Sequence, residues 1–116
     1  MNKKKSGQIA LAFFPATSMQ QVKLRPVLLL RQLPYGFDDW LICMVSSKTQ
    51  NCIKGLDNLI NQGDNDFLQS GLKVASVIRA ARLAAVSGDI LLGAIGQISA
   101  QRLSRIRQNI ANVSSD

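Results

Sequence analysis

The sequence contains no histidine and no glutamate. Without an imidazole there is no Ser-His-Asp or Cys-His nucleophile and no histidine to act as general base. All seven acids are aspartates, scattered as Asp38-Asp39, Asp57, Asp64, Asp66, Asp89 and Asp116. None forms the spaced cluster that a two-metal nuclease or a tight divalent site needs, so we expect no metal and no cofactor. The two cysteines, Cys43 and Cys52, cannot build a disulfide framework, and no Cys-x-x-Cys or Cys/His spacing suggests zinc. Cys43 lies in an apolar run and reads as a small core residue. No apolar stretch approaches the ~20 residues that cross a bilayer. After Lys3-Lys4-Lys5 the apolar run reaches only from Ile9 to Phe14, too short for a signal-peptide core. The expected location is the cytoplasm, with no membrane partner.

Positive charge is what the chain has instead. Fourteen Lys and Arg give a net charge of +7 over 116 residues, a length that suits a single domain, 1–116. Such a balance points to a polyanionic partner, either nucleic acid or an acidic protein segment; the plainer reading is a basic soluble protein. An enzyme built from these residues has to work through cations, hydroxyls and backbone donors that stabilise developing negative charge.

Alternation of Ile9, Leu11 and Phe13 against Ala10, Ala12 and Phe14 predicts a first strand, closed by Phe14-Pro15. Ala16 to Val22 is polar and aperiodic, a loop of the kind that moves over a site. Arg25 to Arg31 predicts a second strand, with Pro26 suited to a strand's first residue and Val27 to Leu30 buried on both faces. Leu33 to Asp39 carries turn residues, and Trp40 to Ser46 is a third, almost wholly apolar strand ending in Ser46-Ser47. Lys48 to Gly55 reads as a basic loop, Asp57 to Ile60 as a short strand, and Asn61 to Ser70 as a turn in which Phe67 packs. Val74 to Val86 has alanines and aliphatics at helical spacing yet is bounded as a strand would be, and period alone does not separate the two. Ile90 to Ile98 fits a last strand or a loose helical turn. Ser99 is a good N-cap, and Leu103, Ile106, Ile110 and Val113 make an apolar stripe that predicts a helix from Ala100 to Val113. Arg102, Arg105 and Arg107 read there as a solvated face.

Lys23-Leu24-Arg25-Pro26 fixes a guanidinium at the mouth of the buried second strand, where it either works on a ligand or merely solubilises a strand end. Ser46 either faces the same ligand or bonds locally to backbone. These alternatives stay open on residue type alone.

The order of features resembles the MazF/PemK toxins of type II toxin–antitoxin modules over nearly the whole chain. The matching segments are Gly7-Gln8-Ile9 with Phe14-Pro15, Lys23-Leu24-Arg25-Pro26-Val27-Leu28 and Ile42-Cys43-Met44-Val45-Ser46-Ser47. Ser70-Gly71-Leu72-Lys73 with Ser76-Val77-Ile78-Arg79, and Ile95-Gly96-Gln97-Ile98-Ser99, complete the set. The resemblance implies a mainly β fold, a small SH3-like β-barrel with a C-terminal helix, usually homodimeric, in which Ser76 to Arg82 is a strand. It implies an endoribonuclease that cuts single-stranded RNA at short motifs without metal and is blocked by a cognate antitoxin. Arg25 and Ser46, the latter where relatives usually have Thr, become the catalytic pair. Lys23, Ser47, Lys48 and Lys54 become phosphate-positioning groups, Phe14 a stacking face and Arg79 an RNA contact. Two departures stand out: Gln8 replaces an acid, and a second arginine of some relatives falls at an alanine, with Arg79 and Arg82 nearby. The alternatives are a non-catalytic binder on the same barrel: a CcdB-like gyrase poison, or an inactive relative that binds RNA or antitoxin. The ending Asn112-Val113-Ser114-Ser115-Asp116 lacks the Trp-Gly-Ile of gyrase poisons.

Overall fold

The computed structural model describes residues 1, 3–15 and 22–115. Its elements run β1 (Gln8–Pro15), β2 (Val22–Gln32), β3 (Asp39–Ser46), β4 (Asn58–Ile60), α1 (Phe67–Ser70), β5 (Ser76–Ser87), β6 (Leu91–Gln97) and α2 (Ala100–Ser114). All strand pairings are antiparallel, in the order β4-β5-β3-β2-β1-β6. The two edge strands do not pair with each other; α1, which follows β4, packs on β6 and bridges them. The result is mainly β with a C-terminal helix, barrel-like in outline. The loop expected at Ala16–Val22 falls outside the described residues except for Val22, which begins β2.

Val27 to Leu30 is buried on both faces, as its unbroken aliphatic run requires. Leu28 and Leu30 join Ile9, Cys43, Ile78 and the helix residues Leu103 and Ile106 on one face. Val27 and Leu29 join Ala10, Ala12, Trp40 and Ile42 on the other. Each such side chain contributes ~1.5–3 kcal/mol by leaving water, which makes β2 the spine of the fold. Burial also pushes the Cys43 thiol up to about 12, so it serves as core filler.

The segment expected from Val74 to Val86 resolves as strand from Ser76 onward. Val77 and Ile78 are paired on both sides, by β4 and β3, and this tertiary pairing overrides the local alanine preference for helix. The expected turn at Asn61 to Ser70 includes the short helix α1, whose Phe67 is buried in the core. Ser99 caps α2, its Oγ accepting from the Arg102 N–H at 3.1 Å.

The junction of α1 with β6 has no room for a side chain. Gly71 ends α1 in the left-handed region at φ +76°, and a Cβ there would meet the Ile95 carbonyl oxygen at 2.1 Å. A Cβ on Gly96 would meet the Gln69 carbonyl oxygen at 2.2 Å. Both contacts are backbone on backbone, so neither relaxes by a rotamer change. Gly96→Ala is therefore expected to lower the unfolding free energy by about 2–3 kcal/mol. Gly63→Ala, at a position with open space around it, should shift it by less than ~0.5 kcal/mol. Urea denaturation of the two variants checks the contrast.

Candidate functional site

β2 and β3 pair through Val27↔Met44, Leu28↔Cys43 and Leu29↔Ile42. Continued by one step and then another, that register would set Pro26 opposite Val45 and Arg25 opposite Ser46. The ladder stops short of both. On the β1 side, Gly7 N–H donates to the Leu29 carbonyl at 2.8 Å. Strand alternation then turns the backbone groups of Leu28 and Pro26 toward β3. Pro26 has no hydrogen to give there, so the ladder ends and the strands part. Val45 and Ser46 continue as partners of Ile78 and Val77 in β5.

The gap is an open groove of about 560 Å³. Arg25 and Ser46 both line it, as do Ser47 and Lys48. A separate wall is the Gly71–Val74 connection, which brings Lys73. Leu11, Leu24, Leu72 and Ile95 supply apolar surface, and no aspartate among the described residues lines the groove. Among the described residues Arg25 pairs with no carboxylate. The Ser46 Oγ accepts the Lys48 N–H at 3.1 Å, the local bond foreseen for it. Its own hydrogen and a second lone pair stay available to a ligand. Arg25, Lys48 and Lys73 thus make an anion-attracting cleft beside an aliphatic surface.

Other expected site residues lie elsewhere. Lys23 and Phe14 are cross-strand partners on the β1–β2 ribbon, outside the groove lining. Lys54 is exposed in the turn before β4 and Arg82 on β5, again outside it. Arg79 serves a buried acid. The partners of β3 jump from Arg79 to Leu83 across a bulge in β5, leaving Ala80 to Arg82 without β3 partners. Asp57, its side chain fully buried, accepts the Ala81 N–H at 3.0 Å, the Ile53 N–H at 3.0 Å and Arg79 Nε at 3.1 Å. Arg79 neutralises the carboxylate that holds this bulge together. Leu72, Lys73 and Val74 were not expected in the site; their one sequence cue is Gly71, whose turn aims the following residues back over the strands.

Arg102 corrects the expectation of a solvated helix face. Its Nε and Nη2 grip Asp66 at 2.8 and 2.9 Å, Nη2 reaches Asp64 at 2.9 Å, and Nη1 reaches Asn58 Oδ1 at 2.6 Å and the Leu59 carbonyl at 2.7 Å. Asp66 also accepts the Ser99 N–H at 3.0 Å. The Arg102 fork, aided by that N–H, outweighs burial and holds the Asp66 carboxyl down to about 2. Because Asp66 stands immediately before α1 and Gly71 immediately after it, this cluster anchors the groove's separate wall. Arg107 stays exposed while donating to the Leu30 carbonyl at 2.8 Å. Among the described residues no three His, Cys, Asp or Glu side chains gather as a metal site would require. No helix there is long and apolar enough to cross a membrane.

The profile of the PemK-like, MazF-like toxin of type II toxin–antitoxin system matches residues 5–114. Among solved structures, MazE–MazF (form II) from Deinococcus radiodurans superposes with a TM-score of 0.73 at 15% identity, covering 97% of this chain and 96% of that one. An endoribonuclease in complex with its cognate antitoxin from a mycobacterial species gives 0.70 at 11% identity, with 97% and 96% covered. The Mycobacterium tuberculosis toxin MazF-mt6 gives 0.68 at 17%, covering 93% and 96%. At these identities the structures establish a shared fold. No curated protein matches the chain by sequence.

The Asp66 carboxyl titrates lower in the folded chain than its ordinary 3.8, so its contribution is complete above about pH 4 and is lost as pH falls toward 2. The parent should lose on the order of 2 kcal/mol across that window from this group. Asp66→Asn should be less stable at neutral pH and show a shallower acid decline. Urea melts between pH 2 and 5 read both effects.

Proposed function

The chain belongs to the PemK-like, MazF-like toxins of type II toxin–antitoxin systems, and from that membership and its groove we propose an endoribonuclease that cuts single-stranded RNA without a metal ion. The observation that supports this reading is the meeting of Arg25 and Ser46 in an acid-free cleft that three cations share. RNA brings its own nucleophile. The 2′-hydroxyl attacks the adjacent phosphorus and the bond to the 5′-oxygen breaks, leaving a 2′,3′-cyclic phosphate and a 5′-hydroxyl. What the protein must supply is in-line alignment and compensation for charge gathering on the phosphorane.

Arg25 meets the second need, since its planar fork matches two phosphate oxygens at once. Its backbone, paired with Ala12 of β1 beside the buried run Val27 to Leu30, fixes where that fork starts from. Ser46 donates its free hydroxyl hydrogen to the same phosphate or orients the attacking 2′-oxygen. Ser47 and Lys48 follow on the same turn and hold a neighbouring phosphate. Lys23, Lys54 and Phe14 would meet the RNA where it leaves the groove, the cations on phosphates and the ring on a base face. The net charge of +7 raises the encounter rate with any such polyanion. Our reading includes an acidic antitoxin segment as the competing occupant of the groove. It also includes a second copy of the chain, for which the outer edge of β5 from Arg82 to Ser87, unpaired among the described residues, offers a site.

Incubation with mixed-sequence single-stranded RNA in EDTA tests the proposal. Discrete cuts with cyclic-phosphate ends are expected, slowed about 10²–10³-fold by Arg25→Ala and more modestly by Ser46→Ala. Uncut RNA together with inhibition of gyrase supercoiling would overturn it in favour of a non-catalytic toxin on the same fold.

A further inference from the structure

We propose that Lys73 supplies the second positive charge at the scissile phosphate, in place of an arginine from β5. The inference rests on the nuclease reading above and asks which side chain of this chain completes it. A phosphorane carries one more negative charge than the diester it forms from, and a single guanidinium leaves part of it uncompensated. The two β5 arginines are committed or displaced. Arg79 is tied to the fully buried Asp57, which it could leave only by stranding a carboxylate inside the protein. Arg82 is exposed and does not line the groove.

Lys73 does line it, and its backbone is pinned on both sides. The Ser70 hydroxyl, fully buried, donates to the Phe67 carbonyl and accepts the Leu72 N–H at 3.2 Å. The Ser76 hydroxyl, 3% exposed, donates to the Val74 carbonyl at 2.9 Å. Between these two serines stands Lys73, on a connection clamped at Gly71 against the Ile95 carbonyl. Among the described residues no carboxylate pairs with it. Lys48 also reaches the groove, but it follows Ser46 on the β3 turn and so lies to one side of the parted strands. The Gly71–Val74 wall lines the same groove as Arg25 and Ser46. There a primary ammonium, which needs no fixed fork, can follow the phosphate as its geometry changes.

The test uses Lys73→Met and Lys73→Cys, both in a Cys52→Ser background so that the buried Cys43 is the only other thiol. Single-turnover cleavage should fall about 10²-fold in Lys73→Met with thermal stability unchanged. Alkylation of Lys73→Cys with bromoethylamine, which rebuilds an ammonium at lysine length, should restore most of the rate. Binding of a single-stranded oligonucleotide bearing 2′-O-methyl groups, which cannot be cut, should lose about 0.7 from its slope against log salt in Lys73→Met. Parental cleavage in Lys73→Met, or a loss that alkylation does not reverse, overturns the proposal. If the parent itself cuts no RNA, the nuclease reading fails separately. The salt slope then decides whether Lys73 meets a phosphate, and an unchanged slope overturns that too.

Discussion

One absent hydrogen shapes this molecule. At Pro26 the β2 backbone turns toward β3 with nothing to donate, and the two central strands separate instead of closing their ladder. Had the register run on, Arg25 and Ser46 would be ordinary cross-strand neighbours with no space between them. The proline converts that pair into the two lips of a groove. It does so next to the buried run Val27 to Leu30, so the groove inherits the stiffness of the core. The same ring that spoils one hydrogen bond thereby fixes a guanidinium and a hydroxyl at either side of an opening.

The charges divide into two populations. Asp57 and Asp66, the two buried acids, each hold an arginine together with backbone N–H groups. One secures the β5 bulge and the other the start of α1. These pairs are structural, and their arginines are withdrawn from any ligand. What remains is an excess of cations at the surface and in the cleft, with no carboxylate among the described residues to oppose Arg25, Lys48 and Lys73. A chain with few acids can spend them on scaffolding only if it keeps them away from the site, and the fold does so.

Much of this was legible beforehand. Period-two alternation marked β1, the unbroken run Val27 to Leu30 marked a strand covered on both faces, and Ser99 with its stripe marked α2, whose observed bounds match to within a residue. The pairing of Arg25 with Ser46 as site residues came from family resemblance, and the groove places them together. What was hidden depends on partners far along the chain. β5 looks helical until β3 and β4 are laid beside it. Arg102 looks like a surface residue because Asp66 lies 36 positions away, and Arg79 looks free because Asp57 lies 22 away. Pro26 suits a strand's first residue by type alone; its role inside β2 depends on the parity of its neighbours, which no local pattern reveals.

The backbone-on-backbone seat of Gly71 and Gly96 separates what can vary in the cleft from what cannot. The path of the Gly71–Val74 connection is locked by carbonyl contacts and by serine hydroxyls that hold the backbone of Leu72 and Val74 and leave the side chains of Lys73 and Val74 outside their grip. Lineages descended from such a chain can change what Lys73 and Val74 present to a ligand while the ribbon beneath them keeps its course, whereas Leu72 is held by its packing on the core. A wall of that kind lets recognition drift without the scaffold having to be reinvented.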